Sequence, residues 1–192
     1  INDLSGLGKC SLTAAIPVLS VMGIQACPMP TAVLTSQTGF KSFYCNDCTD
    51  KLDYYTSEWK KLGFQPDGIY TGFLSSEKQV DKILDFINSF ETENTLVLVD
   101  PVMGDGGRTY SLFTDALACK MKKLVTVADV ITPNLTECCI LCDVDYCEFI
   151  KNADKPDFLD KIAELGKNLL NRYGVKIVII TGIEHKDIDG TM

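Results

Sequence analysis

Two carboxylates at the end of an apolar run could bind a metal, and their spacing sets the first chemical question. Leu96-Val97-Leu98-Val99 is followed at once by Asp100 and Pro101, then by Met103-Gly104-Asp105-Gly106-Gly107. Pro101 has no backbone N–H and stops a strand. The glycines let backbone approach a ligand closely. Asp100 and Asp105 at such a mouth suit Mg²⁺, which takes oxygen ligands and shares them with phosphates. The same residues also describe an ordinary turn with solvated acids. A second polar set, Thr132-Pro133-Asn134-Leu135-Thr136-Glu137, follows another short apolar run. There Pro133 breaks the strand, Asn134 can cap the next helix, and Glu137 stands at the third helical position. A capping box alone accounts for that pair. A third strand end, Thr181-Gly182, closes the run Val175 to Ile180.

These groups need elements to carry them. Asp3-Leu4-Ser5-Gly6-Leu7-Gly8-Lys9-Cys10-Ser11 reads as a glycine-rich loop after a strand remnant. It is no P-loop: Asp3 stands where the first glycine belongs, and Cys10 where Ser or Thr must follow Lys9. A helix over 11–22 follows, with Pro17 inside it and Gly23 at its end. Short strands are expected at 24–27 and 31–34, then a loop, Thr35-Ser36-Gln37-Thr38-Gly39, able to cover a flat ligand or to pack as surface. Helices at 50–62, from Ser76 through Ile87, at 112–124, after Asn134 and at 156–173 alternate with strands at 68–73, 96–99, 128–131 and 175–180. Ser76-Glu77-Lys78-Gln79 reads as a capping box. Alternation of this kind implies an α/β protein: a mainly parallel sheet with helices on both faces. Ligands of such sheets bind beyond the C-terminal strand ends, where Asp3, Gly72, Asp100, Asp105, Thr132, Glu137 and Thr181 converge.

The 192 residues suffice for one domain with a real core, and a net charge of −8 without a Lys/Arg stripe argues against a nucleic-acid surface. No apolar run reaches about 18 residues, so no membrane span is expected. Nine cysteines include Cys45 and Cys48 as C-x-x-C and a group at Cys138, Cys139, Cys142 and Cys147. A zinc site would want a second well-spaced pair or histidines, and the one histidine is the distant His185. Reduced structural thiols in a cytoplasmic protein are the expectation. Ile1 begins in mid-pattern, and Asp187 to Met192 reads as a turn entering a strand, so a fragment cut at both ends is expected.

Asp100-Pro101-Val102-Met103-Gly104-Asp105, Thr132-Pro133-Asn134-x-x-Glu137 and Ile180-Thr181-Gly182 together resemble the ribokinase-like vitamin kinases. Asn2-Asp3-Leu4-Ser5-Gly6, Pro30 to Gly39 and Thr71-Gly72-Phe73-Leu74 point within them to the pyridoxal (pyridoxine, pyridoxamine) kinase group. The resemblance covers essentially the whole chain, in the family's order. It implies a ribokinase-like three-layer sandwich as a single domain over 1–192 and transfer of the ATP γ-phosphoryl to the 5′-hydroxymethyl of a B6 vitamer. By the same resemblance Asp3, Ser5, Leu34, Thr38 and Phe73 would meet the substrate. Many relatives have Tyr where Phe73 stands. Asp100, Asp105, Thr132, Asn134, Glu137 and Thr181 would serve the ATP–Mg²⁺ region, with Asp105 and Glu137 nearest the metal. A homodimer is the family's common state, and a monovalent-cation requirement stays open.

The family's catalytic base is the Asp of a Gly-x-Gly-Asp opening a late helix, and the sequence contains no such motif. The resemblance therefore puts the base beyond Met192, and these 192 residues alone are expected to show no kinase turnover. Two other readings stand beside the first. The hydroxymethylpyrimidine kinases of thiamine synthesis share the Asp-x-Ser-Gly pattern of the first loop. A ribokinase-like domain that binds without catalysing would keep the sheet and lose the chemistry.

Overall fold

A computed structural model describes residues 1–111 and 113–183. His185 and the turn predicted at 187–192 lie outside the described residues. Strands β1 (Asn2–Leu7), β2 (Pro30–Ser36) and β3 (Cys45–Asp47) form one sheet in the order β1-β2-β3. Strands β4 (Gly68–Thr71), β5 (Leu96–Val99), β8 (Val130–Ile131) and β9 (Ile177–Val178) form another in that order. Pairing is parallel except between β2 and β3. The sheets meet at β1 and β4. Gly72 N–H donates to the Ile1 carbonyl at 2.9 Å, and Phe73 N–H donates to Asn2 Oδ1 at 2.9 Å. At Gly72 a Cβ would lie 2.2 Å from Asn2 Nδ2, so a larger residue would have to displace the Asn2 side chain that bonds Phe73 N–H.

From β1 the chain winds outward to β2, and from β4 it winds the other way through β5 and β8 to β9. Right-handed crossovers in opposite directions carry the helices to opposite faces. Helix α1 (Ser11–Val21) makes the first crossover, and α3 (Glu77–Phe90) and α4 (Asp115–Val125) make the next two. Helices α5 (Leu135–Cys142), α6 (Tyr146–Ile150) and α7 (Phe158–Tyr173) lie between β8 and β9, and α2 (Leu52–Lys61) packs on α3. Val80, Ile83 and Ile87 of α3 share a core with Val97 and Val99 of β5 and with Met121 and Leu124 of α4, all fully buried. Burying side chains of this size contributes about 1.5–3 kcal/mol each. Helix α1 is different: although apolar, it buries only Leu12.

Most predicted elements are present, with shifted ends. No strand forms at 24–27; between Pro28 and Pro30 the chain passes directly into β2. The strand β1 runs through Ser5 to Leu7, where a loop was expected, because β2 offers it a full ladder as far as Ser36. The helix expected from Leu112 starts at Asp115, since the Thr114 hydroxyl caps it by accepting Leu117 N–H at 3.1 Å. The capping box expected at Ser76 is half formed. Ser76 Oγ accepts Gln79 N–H, but Gln79 Oε1 accepts Ser75 N–H at 2.8 Å and its Nε2 donates to the Thr31 carbonyl at 2.8 Å. Fully buried, Gln79 ties α3 to β2 instead of closing its own turn. Strand β3, α6 and a small hairpin of β6 (Gly104–Asp105) and β7 (Arg108–Thr109) carry no periodic signal and were not anticipated.

Candidate functional site

The winding reverses between β1 and β4, and a cavity of about 350 Å³ opens there. This is where doubly wound sheets bind ligands. Its walls include Asn2, Asp3 and Ser5 from β1, Leu34 from β2, Gln37, Thr38 and Gly39 from the following loop, and Tyr70, Phe73 and Asp100 from the ends of β4 and β5. All five residues assigned to substrate by resemblance thus line one space, together with Asp100. Ser5 Oγ donates to Asp3 Oδ2 at 2.7 Å, inside the sheet. Cys10 and Ser11, at the start of α1, also line the cavity, and Ser11 holds a left-handed φ of 53°. Strain of that kind gathers at ligand-facing turns.

Beyond Asp100 lies the second set. The Asn134–Glu137 capping box is complete: Asn134 Oδ1 accepts Glu137 N–H at 3.1 Å, and Glu137 Oε2 accepts Asn134 N–H at 2.8 Å. Both side chains also reach out of the helix. Glu137 Oε1 accepts Met103 N–H at 3.1 Å, and Asn134 Nδ2 donates to the Gly104 carbonyl at 2.8 Å. Gly107 N–H donates to Thr136 Oγ1 at 2.9 Å. Three residues of one helix start therefore hold the 103–107 loop. Gly104 is required there, since a Cβ would stand 2.3 Å from the Arg108 carbonyl oxygen. Asp105 is exposed at the hairpin tip, its Oδ1 accepting Gly106 N–H at 2.8 Å. Thr181 is exposed and pairs with Asn134 as an isolated parallel bridge. Thr132 lies beside Asp100.

The electrostatics follow from burial. Burial pushes the Glu137 carboxyl up to about 8, against backbone N–H groups of Asn134, Met103 and Gly104 that favour its charged form. Asp100 is raised to about 6 by burial, with the Thr132 side chain opposing. Tyr70 is raised to about 12 by burial and then by the Asp100 charge. The Tyr110 phenol is raised by burial and by Glu137, Asp105 and Asp100. Carboxylates destabilised this way gain by meeting a cation. Among the described residues no three His, Cys, Asp or Glu side chains form a ready-made metal cage. The Thr71 hydroxyl, at the end of β4, is buried without a partner among the described residues.

Sequence reasoning missed Asn2, Cys10, Ser11, Gln37, Gly39, Tyr70, Val102 and Tyr110 as lining residues. Gln37 and Gly39 belong to the polar loop already singled out. Tyr70 precedes the Thr71-Gly72 strand end, a signal that could have marked it. Val102 and Tyr110 gave none, because the hairpin fold brings them to the cavity.

Fold and site together define an α/β protein of the ribokinase-like class, as solved relatives bear out. A Bacteroides thetaiotaomicron protein, provisionally named a phosphomethylpyrimidine kinase and crystallised with pyridoxal, is 44% identical with a TM-score of 0.87, covering 97% of this chain and 63% of that one. Pyridoxal kinase from Lactobacillus plantarum is 27% identical with a TM-score of 0.81, covering 96% and 63%. The sequence model described as phosphomethylpyrimidine kinase matches residues 11–191, and the chain belongs to that family. A Schizosaccharomyces pombe protein provisionally named a pyridoxal kinase is 32% identical over 168 residues, which are 85% of this chain and 46% of that protein. The chain thus spans about half the length of that curated relative.

Proposed function

We propose that the protein carrying this single domain, residues 1–192, phosphorylates the 5′-hydroxymethyl of a B6 vitamer with ATP. The observation that carries the reading is the shared cavity: Asp3, Ser5, Leu34, Thr38 and Phe73 meet Asp100 across the reversal of the sheet. Similarity to pyridoxal kinases supports it. Phe73 and Leu34 would flank a flat ring, and Thr38 would hydrogen-bond it. Asp105 and Glu137 are the residues to hold Mg²⁺, which when bound neutralises phosphate charge. Thr132 and Thr181 would face the ATP phosphates. Asn134, with both ends of its amide engaged, would position the 103–107 loop for them. These residues contribute orientation and fixed charge, which dominate phosphoryl transfer.

The family description favours a second reading, a hydroxymethylpyrimidine kinase. The protein as its gene encodes it, assayed with ATP·Mg²⁺ on pyridoxal, pyridoxine, pyridoxamine and hydroxymethylpyrimidine, separates the two. Higher kcat/KM on the pyrimidine would overturn the first reading. Absence of ATP·Mg²⁺ binding by calorimetry would favour a binding domain without catalysis.

We also infer a homodimer in which α1, β1 and β2 take part, since Val18 and Val21 of α1, Leu4 of β1 and Val33 of β2 are each exposed. A monomer by sedimentation at micromolar concentration would overturn it. Among the described residues no helix is long and apolar enough to cross a membrane. The free thiols agree with the cytoplasmic location we propose.

A further inference from the structure

We propose that Asp3 selects the acceptor by holding its ring nitrogen in the protonated form. The inference rests on the reading of the cavity as the acceptor site. Asp3 is only 5% exposed, yet it lines the cavity. Ser5 Oγ donates to its Oδ2, while its Oδ1 takes no hydrogen bond from the described residues. The titratable groups sharing the described wall are Cys10, Tyr70, Asp100 and Tyr110, and outside it the Cys45 thiol of β3 is raised in part by Asp3. None of them is a cation, and no Lys, Arg or His lines the space among the described residues. An enclosed carboxylate without a positive partner is costly. The ligand itself must bring the partner. A pyridine or pyrimidine ring does so when its nitrogen carries a proton, giving a charge-assisted N–H···O bond.

The test uses the protein as its gene encodes it, titrated by calorimetry near neutral pH with pyridoxine and with its carbocyclic analogue, in which C–H replaces the ring nitrogen. A hydrogen bond to a charged group predicts roughly 10- to 100-fold weaker binding of the analogue. Asp3→Asn should bind the two ligands within about threefold of each other, as expected once the charge-assisted bond is gone. Bound pyridoxine should absorb as its N-protonated form in the unaltered protein and lose that signature in Asp3→Asn. The ligand comparison on the unaltered protein does not depend on the variant folding. Equal affinity for both ligands overturns the role of Asp3 and leaves the cavity reading standing. No binding of pyridoxine overturns both.

Discussion

Replacing Asn134 by Ala tests whether one residue couples the start of α5 to the loop bearing Asp105. The side chain makes two hydrogen bonds: Oδ1 accepts Glu137 N–H at 3.1 Å and Nδ2 donates to the Gly104 carbonyl at 2.8 Å. Loss of an N-cap costs about 1 kcal/mol. Loss of the bond to Gly104, half enclosed, costs about another 1 kcal/mol. Ala should therefore destabilise by about 2 kcal/mol, which for a chain of this size lowers Tm by about 4–8 °C. Asn134→Ser keeps a capping oxygen and gives up only the Gly104 bond, so it should lose about half as much. Thermal unfolding followed by circular dichroism measures both. Hydrogen exchange at Met103 and Gly107, whose N–H groups bond Glu137 and Thr136, should accelerate in the Ala variant. If Ser costs nothing, the Gly104 bond contributes nothing and the coupling argument fails. If Ala costs under about 0.5 kcal/mol, the cap argument fails as well.

Glu137 is raised from 4.5 to about 8, so its stability contribution is fully present below about 4.5 and is lost as pH rises through about 8. The stability of the unaltered chain relative to Glu137→Gln should fall over that window by up to about 5 kcal/mol, read as the difference in Tm at each pH; a flat difference would refute the burial argument. Gly104→Ala drives a Cβ into the Arg108 carbonyl and should destabilise by about 1–3 kcal/mol in urea unfolding, whereas the same change at Gly63, where a Cβ meets nothing, carries only the strain of its positive φ. Thr71→Val removes a buried hydroxyl that has no partner among the described residues, and it should be neutral or stabilise by up to about 1 kcal/mol; a clear loss in Tm would reveal a partner for that hydroxyl. The 192-residue chain should form no pyridoxal phosphate from ATP and pyridoxal in a coupled assay, because its sequence contains no Gly-x-Gly-Asp. A missing general base alone costs about 10²–10⁴ in rate, and robust turnover by this chain would refute the assignment of the base.

The amphipathic helices were legible because their apolar residues recur with the helical period, as Val80, Ile83 and Ile87 do before meeting the sheet. The strand ends at Asp100 and Thr132 were legible because proline follows each within one residue and cannot extend a ladder. Where local signals failed, a distant partner decided. Gln79 looked like half of a capping box, but the Thr31 carbonyl, 48 residues away, claims its amide. Residues 24–27 have strand-like content and no strand to pair with.

By itself, the sequence determined the alternation of strand and helix, the doubly covered sheet and the polar groups that stand at strand ends, because periodicity and turn chemistry are local properties of the chain. Only the tertiary structure decided that the winding reverses between β1 and β4, so that Asp3 and Asp100, 97 positions apart in the sequence, line one cavity. It also decided that Glu137 serves both its own helix and the Met103 backbone. Strand order and the burial that shifts a carboxyl are set by contacts between residues far apart in the chain. No local pattern encodes them.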